Sequence, residues 1–219
     1  MVMTNSMRVY TKTNELGYIL TTPTGFNAEN EHLPLIVYLH GAGERGDNLE
    51  AVKIHGIPKL FSADPDYHGL RVVTLSPQCP DGMVWDNLTE QLMYLIETIV
   101  EDLAIDRDRI TLTGNSMGGF GTYEMGCSYP GYFAALAPIC GGGMAWRSDA
   151  LTDTPMRVFH GGKDDVVLPA RSEEMANMIN HRGGNATLQI FPDAWHDSWT
   201  PAYETTDLIE WLASASRKG

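Results

Sequence analysis

The chain has 219 residues, 43% hydrophobic and 20% charged, with 28 Asp and Glu against 15 Lys and Arg for a formal net charge of −13. This composition supports one sizeable apolar core, able to bury about 70% of the unfolded surface, and excludes a disordered chain, a collagen-like repeat and a disulfide scaffold. So acidic a chain repels polyanions, which argues against nucleic acid or an anionic membrane surface as partner.

The longest apolar runs, Leu33–Leu39 and Phe133–Cys140, are too short to cross a bilayer. The start, Met1–Arg8, lacks the basic opening and apolar centre of a secretory leader. Three cysteines, Cys79, Cys127 and Cys140, make an odd count without metal-ligand spacing. These features point to a reducing cytoplasm, with a secreted protein that has lost its leader as the alternative. No repeat, low-complexity tract or linker interrupts residues 1–219, so one domain is expected.

Short β-branched runs alternate with helix-length amphipathic segments. In chain order, Tyr18–Thr22, Leu35–His40, Arg71–Ser76, Ile110–Gly114, Phe133–Ile139, Met156–His160 and Thr187–Phe191 read as strands. Several are apolar at nearly every position, as in a parallel sheet covered on both faces. Between them, Leu88, Leu92, Leu95, Ile96, Ile99 and Leu103 recur at helical spacing. Met117–Tyr129 reads as a helix of small residues stopped by Pro130, Arg171–His181 as one ending before Gly183, and Tyr203–Ala213 as the last. The alternation predicts an α/β fold, a mostly parallel, doubly wound sheet with helices on both faces. Ligands in such sheets sit beyond the carboxyl ends of the strands.

The residues following those ends carry the chemistry. After Ile110–Thr113 comes Gly114-Asn115-Ser116-Met117-Gly118, a G-x-S-x-G segment at a strand-to-helix junction. Its turn is so tight that only glycine fits at 114 and 118, leaving the Ser116 hydroxyl standing above the sheet. A hydroxyl needs a base to take its proton. Asp164 follows the strand that ends at His160, and His196 follows the strand that ends at Phe191, in the order Ser, Asp, His. His196 is expected to move the proton, and Asp164 to fix its tautomer and orientation. Asp165 is read as a turn residue, although its adjacency leaves the choice of acid open.

Other histidines have simpler roles. His32, His55, His68 and His181 are expected on solvated surface, and His40 and His160 in structural hydrogen bonds at strand ends. His40-Gly41-Ala42-Gly43-Glu44-Arg45-Gly46 lets the backbone approach an acyl carbon, so the N–H groups of Ala42 and Met117 form the expected two-donor oxyanion hole. Glu44 and Arg45 are expected to pair and shape that loop. Cys79 and Cys140 read as core or loop thiols, and Gly141-Gly142-Gly143 as a poor phosphate cradle because no helix clearly follows. No cofactor or metal is expected.

HGAGERG, Ser76-Pro77-Gln78-Cys79-Pro80, Trp85-Asp86, GNSMGG, HGGKDDVV and DAWHDSW together resemble compact α/β-hydrolase esterases, of the predicted-peptidase and phospholipase/carboxylesterase-like group related to feruloyl esterases and acyl-protein thioesterases. The resemblance runs from about residue 16 to the end. It implies a serine carboxylesterase using Ser116, Asp164 and His196 on a small-molecule ester. About 16 residues separate Phe133–Ile139 from the next strand, too few for the helical cap this fold often inserts there, so an open site is expected. Trp85, Trp195 and Trp199 are candidate substrate walls, with Trp146 also on a rim loop; aromatic faces stack on flat acyl groups or sugars, and loop anchoring is the other reading. Two rival functions are amide or thioester hydrolysis on the same triad and a non-catalytic binding protein on a hydrolase fold. The oligomeric state is not legible.

Overall fold

The structure, a computed structural model, describes residues 16–217. Met1–Arg8, read above for the absence of a leader, lies outside them. Seven strands form one sheet in the order β1-β3-β2-β4-β5-β6-β7: β1 Tyr18–Thr21, β2 Leu35–Leu39, β3 Val73–Pro77, β4 Ile110–Asn115, β5 Ala135–Ile139, β6 Met156–Gly161 and β7 Ala186–Phe191. β1 runs antiparallel to β3, and every other pairing is parallel. All seven predicted strands are present, with ends shifted by a few residues.

The central strands are apolar throughout because each feeds two cores. Leu35, Val37 and Leu39 of β2 join the cluster containing Leu92, Ile96, Met125 and Met175. Ile36 and Tyr38, pointing the other way, join Ile57, Phe61, Leu208 and Leu212. The first layer is built from α2 (Thr89–Asp102), α3 (Met117–Ser128) and α4 (Ala170–His181), the second from α1 (Gly56–Ala63), α5 (Trp199–Thr205) and α6 (Leu208–Ser214).

Two elements differ from the expectation. The predicted helix Tyr203–Ala213 is two helices, broken where Thr206 is extended. The Thr206 hydroxyl donates to the Ala202 carbonyl and accepts the Leu208 N–H, so one side chain satisfies the ends of both helices. The sequence reading also had no counterpart to α1, a short helix with Pro58 in its first turn. Between β5 and β6 lies only the 3₁₀ segment Ala145–Leu151, packed on α3 and α4. The fold carries no cap there.

A buried cluster supports the rim behind β2. Trp85 is fully buried and donates its indole N–H to the His40 carbonyl at 2.9 Å, with its ring edge-on to the His40 imidazole. A Cβ at Gly121 would come within 2.5 Å of the Trp85 Cβ. This corrects the expectation that Trp85 faces a substrate: it is an anchor between β2 and α3, with no surface left to offer. His40 accepts the Cys79 N–H at Nε2 (2.9 Å) and contacts the Gly41 carbonyl through Nδ1 (2.6 Å), the structural role expected of it.

Burial pushes the His40 imidazole down to about 4. Its folded value lies below that of the unfolded chain, so acid favours unfolding between about pH 6.5 and pH 4, by about 3 kcal/mol in all. Denaturant titrations at pH 7 and pH 4.5 are expected to show this loss in the native chain and a smaller one in His40→Gln; equal losses would assign the slope to other groups. Separately, a Cβ at Gly118 would run into the Leu39 carbonyl, whereas one at Gly43 meets nothing. Gly118→Ala is expected to lower Tm by roughly 10 °C, about 3 kcal/mol of overpacking, and Gly43→Ala to leave it nearly unchanged, both read by calorimetry.

Candidate active site

Ser116 sits between β4 and α3 at φ 54, ψ −118, a left-handed conformation forced by the tight turn. A Cβ at Gly114 would lie 2.5 Å from the Gly118 carbonyl oxygen, so the two glycines flanking Ser116 allow the crossing of strand and helix. The Ser116 N–H donates to Ile139 O at 2.9 Å and also faces the Cys140 sulfur at 3.3 Å. Its side chain is left half-buried at the helix start, where the helix dipole is positive.

Three loops bring the predicted residues together. Ser116 Oγ lies 2.9 Å from His196 Nε2, and His196 Nδ1 lies 2.7 Å from Asp164 Oδ2. Asp164 is buried, whereas its neighbour Asp165 is exposed; burial and the bond to His196 distinguish the two adjacent acids. The other Asp164 oxygen, Oδ1, accepts the N–H groups of Val166 and Val167, each at 2.9 Å. Burial pushes this carboxyl up, but the bonds from His196, Val167 and Val166 outweigh it and hold the group below the usual carboxylate range.

Ala42 opens a 3₁₀ turn and Met117 opens α3. As first residues of helical segments, their N–H groups have no carbonyl one turn back to donate to. Ala42 is exposed and Met117 half-buried, both beside the serine's rim. Glu44 and Arg45 do not form the expected pair. Arg45 donates to the carbonyls of Ala42 and Met83, while the Glu44 carboxylate is buried 3.7 Å from His40 Nδ1 and 3.9 Å from His55 Nε2. Arg45 therefore ties the loop to Met83, while the buried Glu44 Oε2 finds no hydrogen-bond partner among the described residues.

Trp199 is wedged between two imidazoles, its ring edge-on to His196 and to His55, each with centroids 5.4 Å apart. Its indole N–H is buried without a partner. His55 is thus half-buried against Trp199, not the solvated surface residue expected. Trp195 is 58% exposed beside His196.

Two neighbours of the triad were not singled out for the site. His160, fully buried, approaches Asp164 Oδ2 with Nε2 at 3.2 Å, the same oxygen that receives His196. The same Nε2 faces the Val167 carbonyl at 2.8 Å, and Nδ1 meets the Ser172 hydroxyl at 2.7 Å. With two oxygens before it, Nε2 is the ring nitrogen that carries hydrogen. The available signal was its place four residues before Asp164 at the end of β6. Cys140 lies beneath Ser116 at φ 41, its thiol pushed up to about 12 by burial. Its sulfur and ligand atoms of Asp164 and His196 fall within 4.8 Å of one another. The 2.7 Å between His196 Nδ1 and Asp164 Oδ2 is shorter than the separation of about 3.3 Å between two ligands on a tetrahedral ion. This geometry is that of a hydrogen-bond chain, not a metal seat.

Known proteins share this architecture. The profile of the prolyl oligopeptidase family matches residues 144–218, which contain Asp164 and His196. A probable feruloyl esterase C of Aspergillus oryzae is 30% identical over 181 residues, covering 79% of this chain and 64% of that protein. The bifunctional acetylxylan esterase/xylanase XynS20E of Neocallimastix patriciarum is 28% identical over 177 residues, 71% of this chain and 25% of that protein. The chain therefore spans a quarter to just under two thirds of these relatives. A thermostable esterase superposes with a TM-score of 0.87 at 30% identity, covering 97% of this chain and 63% of that one. Esterase PE8, at 19% identity and a TM-score of 0.66 over 89% of this chain and 99% of that one, shares the fold. The resemblance read from the motifs is borne out: the chain has the α/β-hydrolase fold and is similar in sequence to feruloyl and acetylxylan esterases and in structure to a thermostable esterase.

Proposed function

We propose that the chain hydrolyses carboxylic esters through an acyl-enzyme on Ser116, as one domain spanning residues 1–219 and without cofactor or metal. The observation that carries this reading is the unbroken hydrogen-bond chain from Ser116 Oγ through the His196 ring to Asp164. As Oγ attacks the ester carbonyl carbon, His196 Nε2 takes its proton, and the Ala42 and Met117 N–H groups receive the charge developing on the carbonyl oxygen. The intermediate collapses, the C–O bond to the alcohol breaks, and His196 returns the proton to the departing oxygen. Water, deprotonated by the same Nε2, then attacks the acyl-serine, releasing the acid and restoring the hydroxyl. Asp164 holds Nδ1–H throughout and stabilises the imidazolium.

The names of the relatives support small acyl esters: feruloyl esterase C, acetylxylan esterase and, in Paucimonas lemoignei, poly(3-hydroxyalkanoate) depolymerase C. Trp195 and Trp199 flank His196 as walls for the acyl or alcohol part. The match to the prolyl oligopeptidase profile favours amide hydrolysis as the second reading, and comparing ester and amide analogues of one acyl group separates the two. Among the described residues no helix is long and apolar enough to cross a membrane. Three buried thiols outside any disulfide support a reducing, cytoplasmic setting.

Ser116→Ala is expected to reduce turnover of p-nitrophenyl acetate by at least about 10⁴-fold and to abolish fluorophosphonate labelling, with folding intact by circular dichroism. Undiminished turnover would remove Ser116 from the mechanism, and a native chain that neither turns over nor labels would favour a binding protein. Asp164→Asn is expected to lower kcat by about 10⁴-fold and Asp165→Asn by less than about threefold; equal, mild effects would refute the assignment of the acid.

A further inference from the structure

His160 stands beside the triad and has no part in the proposed reaction. It lies near the end of β6, a strand paired on one side to β5 and on the other to β7. Both ring nitrogens are engaged. Nδ1 is 2.7 Å from the hydroxyl oxygen of Ser172 on α4, which in turn is 3.2 Å from the Gly141 carbonyl oxygen. Nε2 donates to the Val167 carbonyl at 2.8 Å and lies 3.2 Å from Asp164 Oδ2. Val167 also gives its N–H to Asp164 Oδ1, so His160 meets the acid twice, directly at Oδ2 and through Val167. The side chains of His160 and Asp164 are closed to solvent, and water does not compete for these contacts. His196, by contrast, keeps 20% of its side chain exposed. Its loop is pressed against the strand end that carries His160: a Cβ at Gly161 would run into the Trp195 carbonyl oxygen.

Resting on the esterase reading, we propose that His160 is a positioning residue of the triad, a clamp that fixes the rotation of the Asp164 carboxylate so that Oδ2 faces His196. The end torsion of an aspartate is soft. The Val166 and Val167 amides both hold Oδ1, which leaves the carboxylate free to pivot about that oxygen. Oδ2 is met by His196 and His160. His196 gains and loses a proton in each cycle, so its own contact cannot set the geometry at every stage. His160 can, because its ring is tied to β6, to Ser172 and to the Val167 carbonyl, and these partners are the same throughout. A site held in this way depends on a supporting shell built on rigid elements, here the sheet and α4. His160 moves no proton in this role, since Nε2 already carries hydrogen and Nδ1 faces Ser172.

The test compares His160→Leu, which removes both ring nitrogens at similar bulk, with His160→Gln, whose amide N–H reaches about as far as Nε2, and with Ser172→Ala, which releases Nδ1. On p-nitrophenyl acetate, His160→Leu is expected to lower kcat about 10- to 100-fold, the scale of misplacing a reacting group by an ångström. KM should stay within about twofold, because the lost contact acts on the transition state and not on binding. His160→Gln is expected to recover kcat to within about threefold of the native chain, and Ser172→Ala to lower it by about three- to tenfold. A second readout needs no substrate: the low-field proton resonance of His196 Nδ1–H in the resting protein, assigned by its loss in His196→Gln. It should broaden or vanish in His160→Leu and persist in His160→Gln. A native kcat or a native resonance in folded His160→Leu overturns the proposal, and so does His160→Gln losing as much activity as His160→Leu. Should circular dichroism show His160→Leu unfolded, Ser172→Ala decides, and native values of its kcat and resonance overturn the proposal. A native chain that turns over no ester counts against the esterase reading alone, and the resonance still shows whether His160 holds Asp164.

Discussion

The carboxylate of Asp164 is the point on which the site converges. Its two oxygens face four N–H groups: the Val166 and Val167 amides on Oδ1, and His196 and His160 on Oδ2. A buried charge is tolerable only when its lone pairs are met in this way. The two amides belong to the residues just beyond Asp164, so the loop after β6 folds around its own side chain. The two imidazoles come from β6 and from the loop after β7. One charge thus fixes the loop that carries it and orients the ring that faces Ser116. A neutral side chain of the same shape could keep the loop but would alter the proton on the ring, which links the local fold to the chemistry.

The serine end is set by contact rather than charge. The helix after Ser116 starts so close to β2 and β5 that backbone meets backbone at Gly114, Gly118 and Gly119. Such an approach has no tolerance for a side chain, and it leaves Ser116 in a conformation that an isolated peptide would avoid. The strain is held by ordinary packing: Tyr123 and Met125 farther along α3 are fully buried in the core, and Trp85 wedges the helix from β2. Ser116, Asp164 and His196 thus rest on different physics, the first on sterics and the other two on hydrogen bonding.

These differences explain what could be read before the fold was known. The elbow is local, so its glycines and serine announce themselves within five residues. The loops carrying Asp164 and His196 follow strands that are apolar runs in the sequence, and strand order alone puts them on one rim. Choosing between Asp164 and Asp165 required burial, which adjacent identical residues do not encode. Trp85 resembled the other rim tryptophans because its meeting with His40 spans 45 residues of chain. The share of His160 in Asp164, the position of Cys140 under Ser116 and the burial of Glu44 beside His40 and His55 are likewise products of close packing between loops. The helix break at Thr206 was hidden because helical spacing continues across it, and the hydroxyl that satisfies both ends is visible only in three dimensions.

Only the short 3₁₀ segment Ala145–Leu151 occupies the stretch between β5 and β6, and this bears on the tempo of the reaction. Enzymes with hinged covers spend part of each cycle opening and closing, and their turnover often reports that movement. Among the described residues no hinged element stands between β5 and β6, so under the proposed reaction reactants would arrive and products depart by diffusion across a fixed mouth. Under that reaction the slow event would be a chemical step, formation or breakdown of the proposed acyl-serine, and changes in the acyl or alcohol group should register directly in the observed rate. The same openness would leave the proposed intermediate exposed to bulk water, hastening hydrolysis and disfavouring transfer of the acyl group to another alcohol.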